Sequence, residues 1–299
     1  MPSLKVIRTR IVSTKATQKI TRAMKMVAGA RLTRAQQRIV AMRPYAVKTA
    51  EVVESVARTM TAAADSADQP AHPLLARRPE KRALVLVFSS DRGLCGALNT
   101  NINKSAERTW REKQAAGAEV AFATLGRKGR EYINRRQGTI IRDFARIYEG
   151  LNLDGARAVA RWLVPLYEKA EFDAVYFVYS EFKSAMTQKV AFEQLLPLGD
   201  PAGASLPSDK VAPTEFSFEP NQRALLERLV PMYVEISVYR ALLESQASFF
   251  GAQMTAMDAA TRNAKDMISR LTLEYNRARQ AAITKELMEI IGGAEALKE

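Results

Sequence analysis

Two long segments, one toward each end of this 299-residue chain, carry heptad-like seams that neither Gly nor Pro divides into short helices. In the first, positions three and four apart recur at Leu4, Ile7, Ile11, Thr14, Gln18, Thr21, Ala28, Leu32, Ala35, Ile39 and Met42. The second runs from Asn221 to Ile291 through Leu229, Met232, Ile236, Leu243, Ala247, Phe250, Met254, Met257, Ala264, Ile268, Leu271, Tyr275, Ala278 and Ala282. At 1.5 Å per residue the first helix would be about 80 Å long and the second on the order of 100 Å. A single helix of that length would leave its apolar stripe in water, so each needs a partner, and the nearest partner is the other. The first seam is soft. Thr and Gln stand where a strong coiled coil places Leu, and Lys25 interrupts it. Pro44 removes one backbone hydrogen bond and is expected to kink the helix or mark a change of packing. Gly292 and Gly293 read as a stop for the second helix.

Between the seams the texture changes. Residues 61–81 read as a linker, with Asp65, Asp68, Pro70, Pro73 and Pro79. Ala83–Ser89 is then a continuous apolar run, as expected of a strand buried on both faces. Helix-like Asn99–Ala116, strand-like Val120–Leu125, a short helix near Lys128–Arg135, helix-like Asp154–Lys169, strand-like Ala174–Ser180 and strand-like Lys189–Leu195 follow. Strands alternating with helices imply a wound, mainly parallel sheet. The predicted architecture is therefore an α/β domain (82–218, Rossmann-like) inserted between paired terminal helices (1–60 and 219–299) that form an antiparallel coiled coil.

Charge is distributed unevenly. No Asp or Glu precedes Glu51, whereas Lys5, Arg8, Arg10, Lys15, Lys19, Arg22, Lys25, Arg31, Arg34, Arg38, Arg43 and Lys48 all do. This stretch accounts for nearly all of the formal net charge of +13. A segment of one sign cannot neutralise itself and is expected to face an acidic partner. Composition leaves nucleic-acid phosphates, a targeting segment and a merely solvated basic face all open. Against targeting, the helical pattern runs without a break into Lys48–Arg58. No run of about 18 apolar residues is present to span a membrane. A single cysteine, Cys95, excludes an internal disulfide, and one His with one Cys argues against a dedicated zinc site. His72 lies among prolines in a segment that reads as loop.

The sequence Ser89-Ser90-Asp91-Arg92-Gly93-Leu94-Cys95-Gly96 follows a strand and precedes a helix, where wound sheets place phosphate-binding loops. It matches neither G-x-G-x-x-G nor the Walker pattern, so a structural turn is the expectation, with Asp91 and Arg92 pairing locally or capping a helix. Cys95 reads as a buried small apolar residue rather than an activated thiol. No Ser/His/Asp set or carboxylate pair stands out. Catalytic, cofactor-binding and metal sites are therefore not expected.

Four stretches carry a resemblance. Thr17–Ala28 (TQKITRAMKMVA) and Ile283–Ala294 (ITKELMEIIGGA) resemble the terminal helices of the γ subunit of rotary ATP synthases. Ser90–Gly96 (SDRGLCG) and Leu271–Gln280 (LTLEYNRARQ) are similar to the same family, while Arg127–Asp173 is weakly diagnostic. The resemblance implies a non-catalytic central stalk that carries torque between an ion-driven ring of c subunits and the catalytic hexamer of α and β subunits, with an epsilon subunit alongside. It implies that Met24 and Lys25 meet loops of the β subunits. It also implies that Arg279, Gln280, Thr284 and Glu286 make polar contacts with a β catch loop, and that Phe218 and Glu219 lie near the foot on the c ring. No cofactor and no nucleic acid are implied. Membrane contact would be indirect, through the ring, at the cytoplasmic face of a bacterial inner membrane. The alternative is a basic coiled-coil adaptor that binds nucleic acid.

Overall fold

The computed structural model describes residues 3–63, 72–198 and 222–296. The chain divides into two compact units, Ala30–Ala252 and the pair of segments Met1–Gly29 and Gln253–Glu299. Helix α1 (Leu4–Ala63) and helix α5 (Gln222–Ala296) each contribute to both units.

The larger unit is built on a five-stranded sheet. Its strands are β1 (Arg82–Phe88), β2 (Glu119–Leu125), β3 (Ile140–Phe144), β4 (Ala174–Phe182) and β5 (Gln188–Leu196), in the order β3-β2-β1-β4-β5. Neighbours are parallel except for β4 and β5. Helices α2 (Leu98–Ala115), α3 (Arg127–Arg135) and α4 (Leu153–Glu168) complete the winding. The unbroken apolar run of β1 has a direct cause. Leu84, Leu86 and Phe88 pack with Val159 and Leu163 of α4 and Val230, Val234 and Val238 of α5. Ala83, Val85 and Val87 point the other way, to Leu98, Ile102 and Ala106 of α2 and Ile133 of α3. Both faces of the strand are covered, so alternation has no solvent side to report. Asn152 starts α4 by accepting a hydrogen bond from Gly155 N–H at 3.0 Å.

Three features differ from the sequence reading. Strand β3 was not anticipated. It is an edge strand whose Ile141 and Arg142 are exposed, so it lacks both the apolar run and the alternation that mark the other strands. The expected linker is partly structured: α1 continues to Ala63, and His72 opens a 3₁₀ turn (Pro73–Leu75) whose Leu74 is fully buried in the core. The expected stop at Gly292-Gly293 does not occur, because α5 continues to Ala296. A glycine costs a helix only about 1 kcal/mol and still supplies its N–H and C=O to the ladder. Helix α1 likewise runs on both sides of Pro44.

In the smaller unit the two helices pair antiparallel. Thr14 lies beside Met267, Thr21 beside Thr261, and Lys25 beside Asp258. Every seam position proposed from the sequence within 3–29 and 253–282 is buried or half-buried. The same antiparallel order appears inside the larger unit, where the Arg31 guanidinium lies 5.8 Å from the Phe250 ring centre and Tyr45 Oη is 3.4 Å from Met232 Sδ.

Candidate interaction surface

The soft part of the α1 seam is held by polar contacts. Thr261 donates its hydroxyl to Thr21 Oγ1 at 2.8 Å, and Lys25 Nζ lies 2.5 Å from Asp258 Oδ1. Asp258 is also 3.3 Å from Arg262, one turn along. These cations hold its carboxyl below the ordinary value, chiefly through the hydrogen bond from Lys25. Lys25 therefore does not simply interrupt the seam. It reaches across the helix pair to a carboxylate. Met24 beside it is half-buried.

The other candidate residues with described positions lie on α5. Arg279, Gln280, Thr284 and Glu286 are all exposed. Gln280 and Thr284 share one stripe at i, i+4, and Arg279 and Glu286 another at i, i+7. The Thr284 hydroxyl is turned inward to donate to Gln280 C=O at 3.0 Å. Phe218 and Glu219 lie outside the described residues.

Helix α1 begins at Leu4, and the pairing of α5 fades correspondingly: Ala282 is the last half-buried position, and every described residue from Ile283 to Ile291 is exposed. The exposed side chains include Ile283, Leu287, Met288, Ile290 and Ile291, with Ile290 at 72%. An isolated apolar patch of this kind marks a surface that another molecule covers.

The strand-to-helix loop of the larger unit is committed to its own fold. Ser89 donates its hydroxyl to Gly126 C=O at 3.1 Å and accepts from Gly129 N–H at 2.7 Å. Gly126 has φ +110°, and a Cβ there would fall 2.2 Å from Ser89 O, so only glycine fits. Asp91 accepts from Arg127 N–H at 3.0 Å, which makes it a cap for α3 rather than for the helix that follows it in sequence. Burial pushes the Cys95 thiol up, toward its unreactive form. His72 is also structural: its Nδ1 accepts from Leu74 N–H at 3.1 Å, and burial holds its pKa below the usual histidine value. Among the described residues no group of three or more His, Cys, Asp or Glu is placed to hold a metal ion, and no helix is long and apolar enough to cross a membrane.

Comparison with known proteins bears on what this surface meets. A family model described as ATP synthase matches residues 3–297. The ATP synthase gamma chain of Sorangium cellulosum is 56% identical, with all of both chains covered. That of a Geobacter species is 48% identical, again over both full lengths. Among solved structures, the rotor of the Euglena gracilis mitochondrial ATP synthase superposes with a TM-score of 0.63 at 18% identity, over 94% of this chain and 98% of that one. This last likeness concerns the fold: long terminal helices with a mixed, mainly parallel sheet between them. The nucleic-acid alternative gains no support from any of these relatives. With the family model spanning nearly the whole sequence and full-length relatives at this identity, the chain belongs to the family of ATP synthase gamma chains.

Proposed function

We propose that this chain is the central stalk of an ATP synthase, turning inside the ring of α and β subunits and passing torque between it and the ion-driven c ring, with an epsilon subunit alongside. The observation that carries the reading is the end of α5, where large apolar side chains stand exposed with no covering partner among the described residues. A surface of this composition can turn within an apolar sleeve without breaking many hydrogen bonds, each worth about 1 kcal/mol net. The acid-free face of α1 complements acidic loops, and charge attraction acts across several ångströms without fixed partners. The test is reconstitution. The chain should co-purify with α and β subunits and support ATP-driven proton pumping in the membrane-bound complex; recovery of the native chain alone would end the reading.

The chain itself is non-catalytic in this proposal. In support, Ser89 and Asp91 of the strand-to-helix loop are engaged at the start of α3, and Ser90 by Asn99 of α2. Proton transport is the coupled process, and the chain is peripheral, held at the cytoplasmic face of a bacterial membrane through the ring. Met24 and Lys25 meet β-subunit loops, and Arg279, Gln280, Thr284 and Glu286 engage the catch loop; Phe218 and Glu219 belong to the foot. The exposure of the four α5 side chains supports that assignment. Joint replacement Arg279→Ala and Gln280→Ala is expected to lower ATPase turnover of the assembled complex severalfold. Normal turnover with normal assembly would remove both residues from the contact.

A further inference from the structure

Helix α5 carries a second stripe within the larger unit. Its apolar seam positions Ile236, Leu243 and Ala247 are buried, but Arg240, Glu244, Ser248 and Gly251, at successive spacings of four, four and three, form a separate line of polar and small residues. Each member meets the β4–β5 hairpin. Arg240 Nη2 lies 2.5 Å from Glu193 Oε1 on β5, with both side chains less than a quarter exposed. Tyr179 of β4 closes a triangle, donating its hydroxyl to Glu193 Oε2 at 2.9 Å while Arg240 Nη1 approaches its oxygen at 3.5 Å. Further along, Ser248 donates to Ser180 C=O at 2.9 Å, fully buried. A Cβ on Gly251 would come within 3.4 Å of the Ala185 backbone in the hairpin turn, so the helix there lies almost directly on the chain. Glu244 sits between these contacts, with one carboxylate oxygen buried and unpartnered.

Apolar packing resists separation but is indifferent to direction, whereas a guanidinium–carboxylate hydrogen bond and a buried hydroxyl bond are directional. A charged cluster is also a poor way to gain stability, since burying it costs nearly what it returns. Its use here is orientation. We propose that Arg240, Glu193, Tyr179 and Ser248 key α5 to the β4–β5 hairpin against rotation about the helix axis, making this hairpin the grip through which load passes between the sheet and the helix. The proposal rests on the central-stalk reading, and the four residues are positioning residues.

The test uses the complete complex in liposomes and measures protons pumped per ATP hydrolysed. Removing Arg240 alone would strand Glu193, so the informative variant replaces the charged side chains together, Arg240→Met with Glu193→Met and Glu244→Gln, leaving no buried charge unpaired. Expected are normal assembly and near-normal ATPase activity with a severalfold lower proton-to-ATP ratio. Ser248→Ala, which loses one hydrogen bond without a change of shape, should lower the ratio in the same direction by less. A wild-type ratio in the assembled triple variant, or in Ser248→Ala if the triple variant does not assemble, overturns the proposal. Failure of the wild-type chain to support pumping at all would instead overturn the central-stalk reading.

Discussion

Around the sheet, the six residues from Ala83 to Phe88 have no exposed surface at all. In the helix pair of Met1–Gly29 and Gln253–Glu299, by contrast, Val12, Ile20, Met26 and Met288 are each 60% or more exposed. The buried residues of that pair include Ile7, Thr21, Ala28, Met257 and Ala264, which are mostly small or polar. The sheet unit thus secures its own core, covered on both faces by its own helices. In the helix pair, large apolar side chains stand exposed while most of the buried positions are small or polar. Exposed apolar side chains of this kind fit an element that works inside a complex.

The largest test of this contrast lies in the sheet. Phe177 is fully buried and packs edge-on against Phe88 at 4.9 Å between ring centres. Phe177→Ala should destabilise the larger unit by about 3–5 kcal/mol, read as a lower urea midpoint. If the sheet tolerates it, the claim of a self-sufficient core is wrong. In the helix pair the opposite substitution is informative. Ala28 is 1% exposed, and Ala28→Leu should cost about 1–3 kcal/mol by forcing the helices apart. Circular dichroism on heating would detect it, and no loss would mean the pair is looser than its burial indicates.

Two smaller effects separate the units by pH. Folding lowers the pKa of His72 below its ordinary 6.5, mainly by burial and against the opposing pull of Glu168 and Glu227. The unfolded chain therefore takes the proton first. Stability of the larger unit should be constant above pH 6.5 and fall as the pH drops below it. His72→Asn, which keeps an acceptor for the turn, should flatten that slope in urea titrations. In the helix pair the sign is the same, but the window lies at lower pH. Folding holds Asp258 below its ordinary 3.8, so its contribution is present above that value and is lost as acid protonates the carboxyl. This half-exposed pair should also weaken with salt, and Asp258→Asn should remove both dependences while leaving the sheet unchanged. Salt-insensitive melting of the wild-type helix pair would show that the ion pair contributes nothing there.

What was legible in the sequence follows from which signals are local. The seams were readable because period and burial coincide along one helix, and β1 because a doubly covered strand shows an unbroken apolar run. Strand β3 gave no such sign, since an edge strand with Ile141 and Arg142 exposed has no pattern of its own. Lys25 looked like a break because its partner Asp258 is 233 residues away. The line Arg240–Glu244–Ser248–Gly251 was not singled out in the sequence, because polar and small residues at helical spacing look like any helix face. Its meaning required the hairpin it lies against. The contacts proposed for α5 came from resemblance, because exposed polar side chains at a helix end have no local signature of what they touch.

The turn after β1 carries one more consequence. In a wound sheet, the positive end of a helix beside the first strand is where a nucleotide would leave its phosphate. Here the carboxylate of Asp91 already sits on the first N–H of α3, and Ser89 holds the glycine beneath it. The chain supplies its own anion, tethered and permanent, so an incoming phosphate would have to evict a resident charge. The start of α3 is in this way filled from within the chain, and the turn after β1 is tied to the turn after β2.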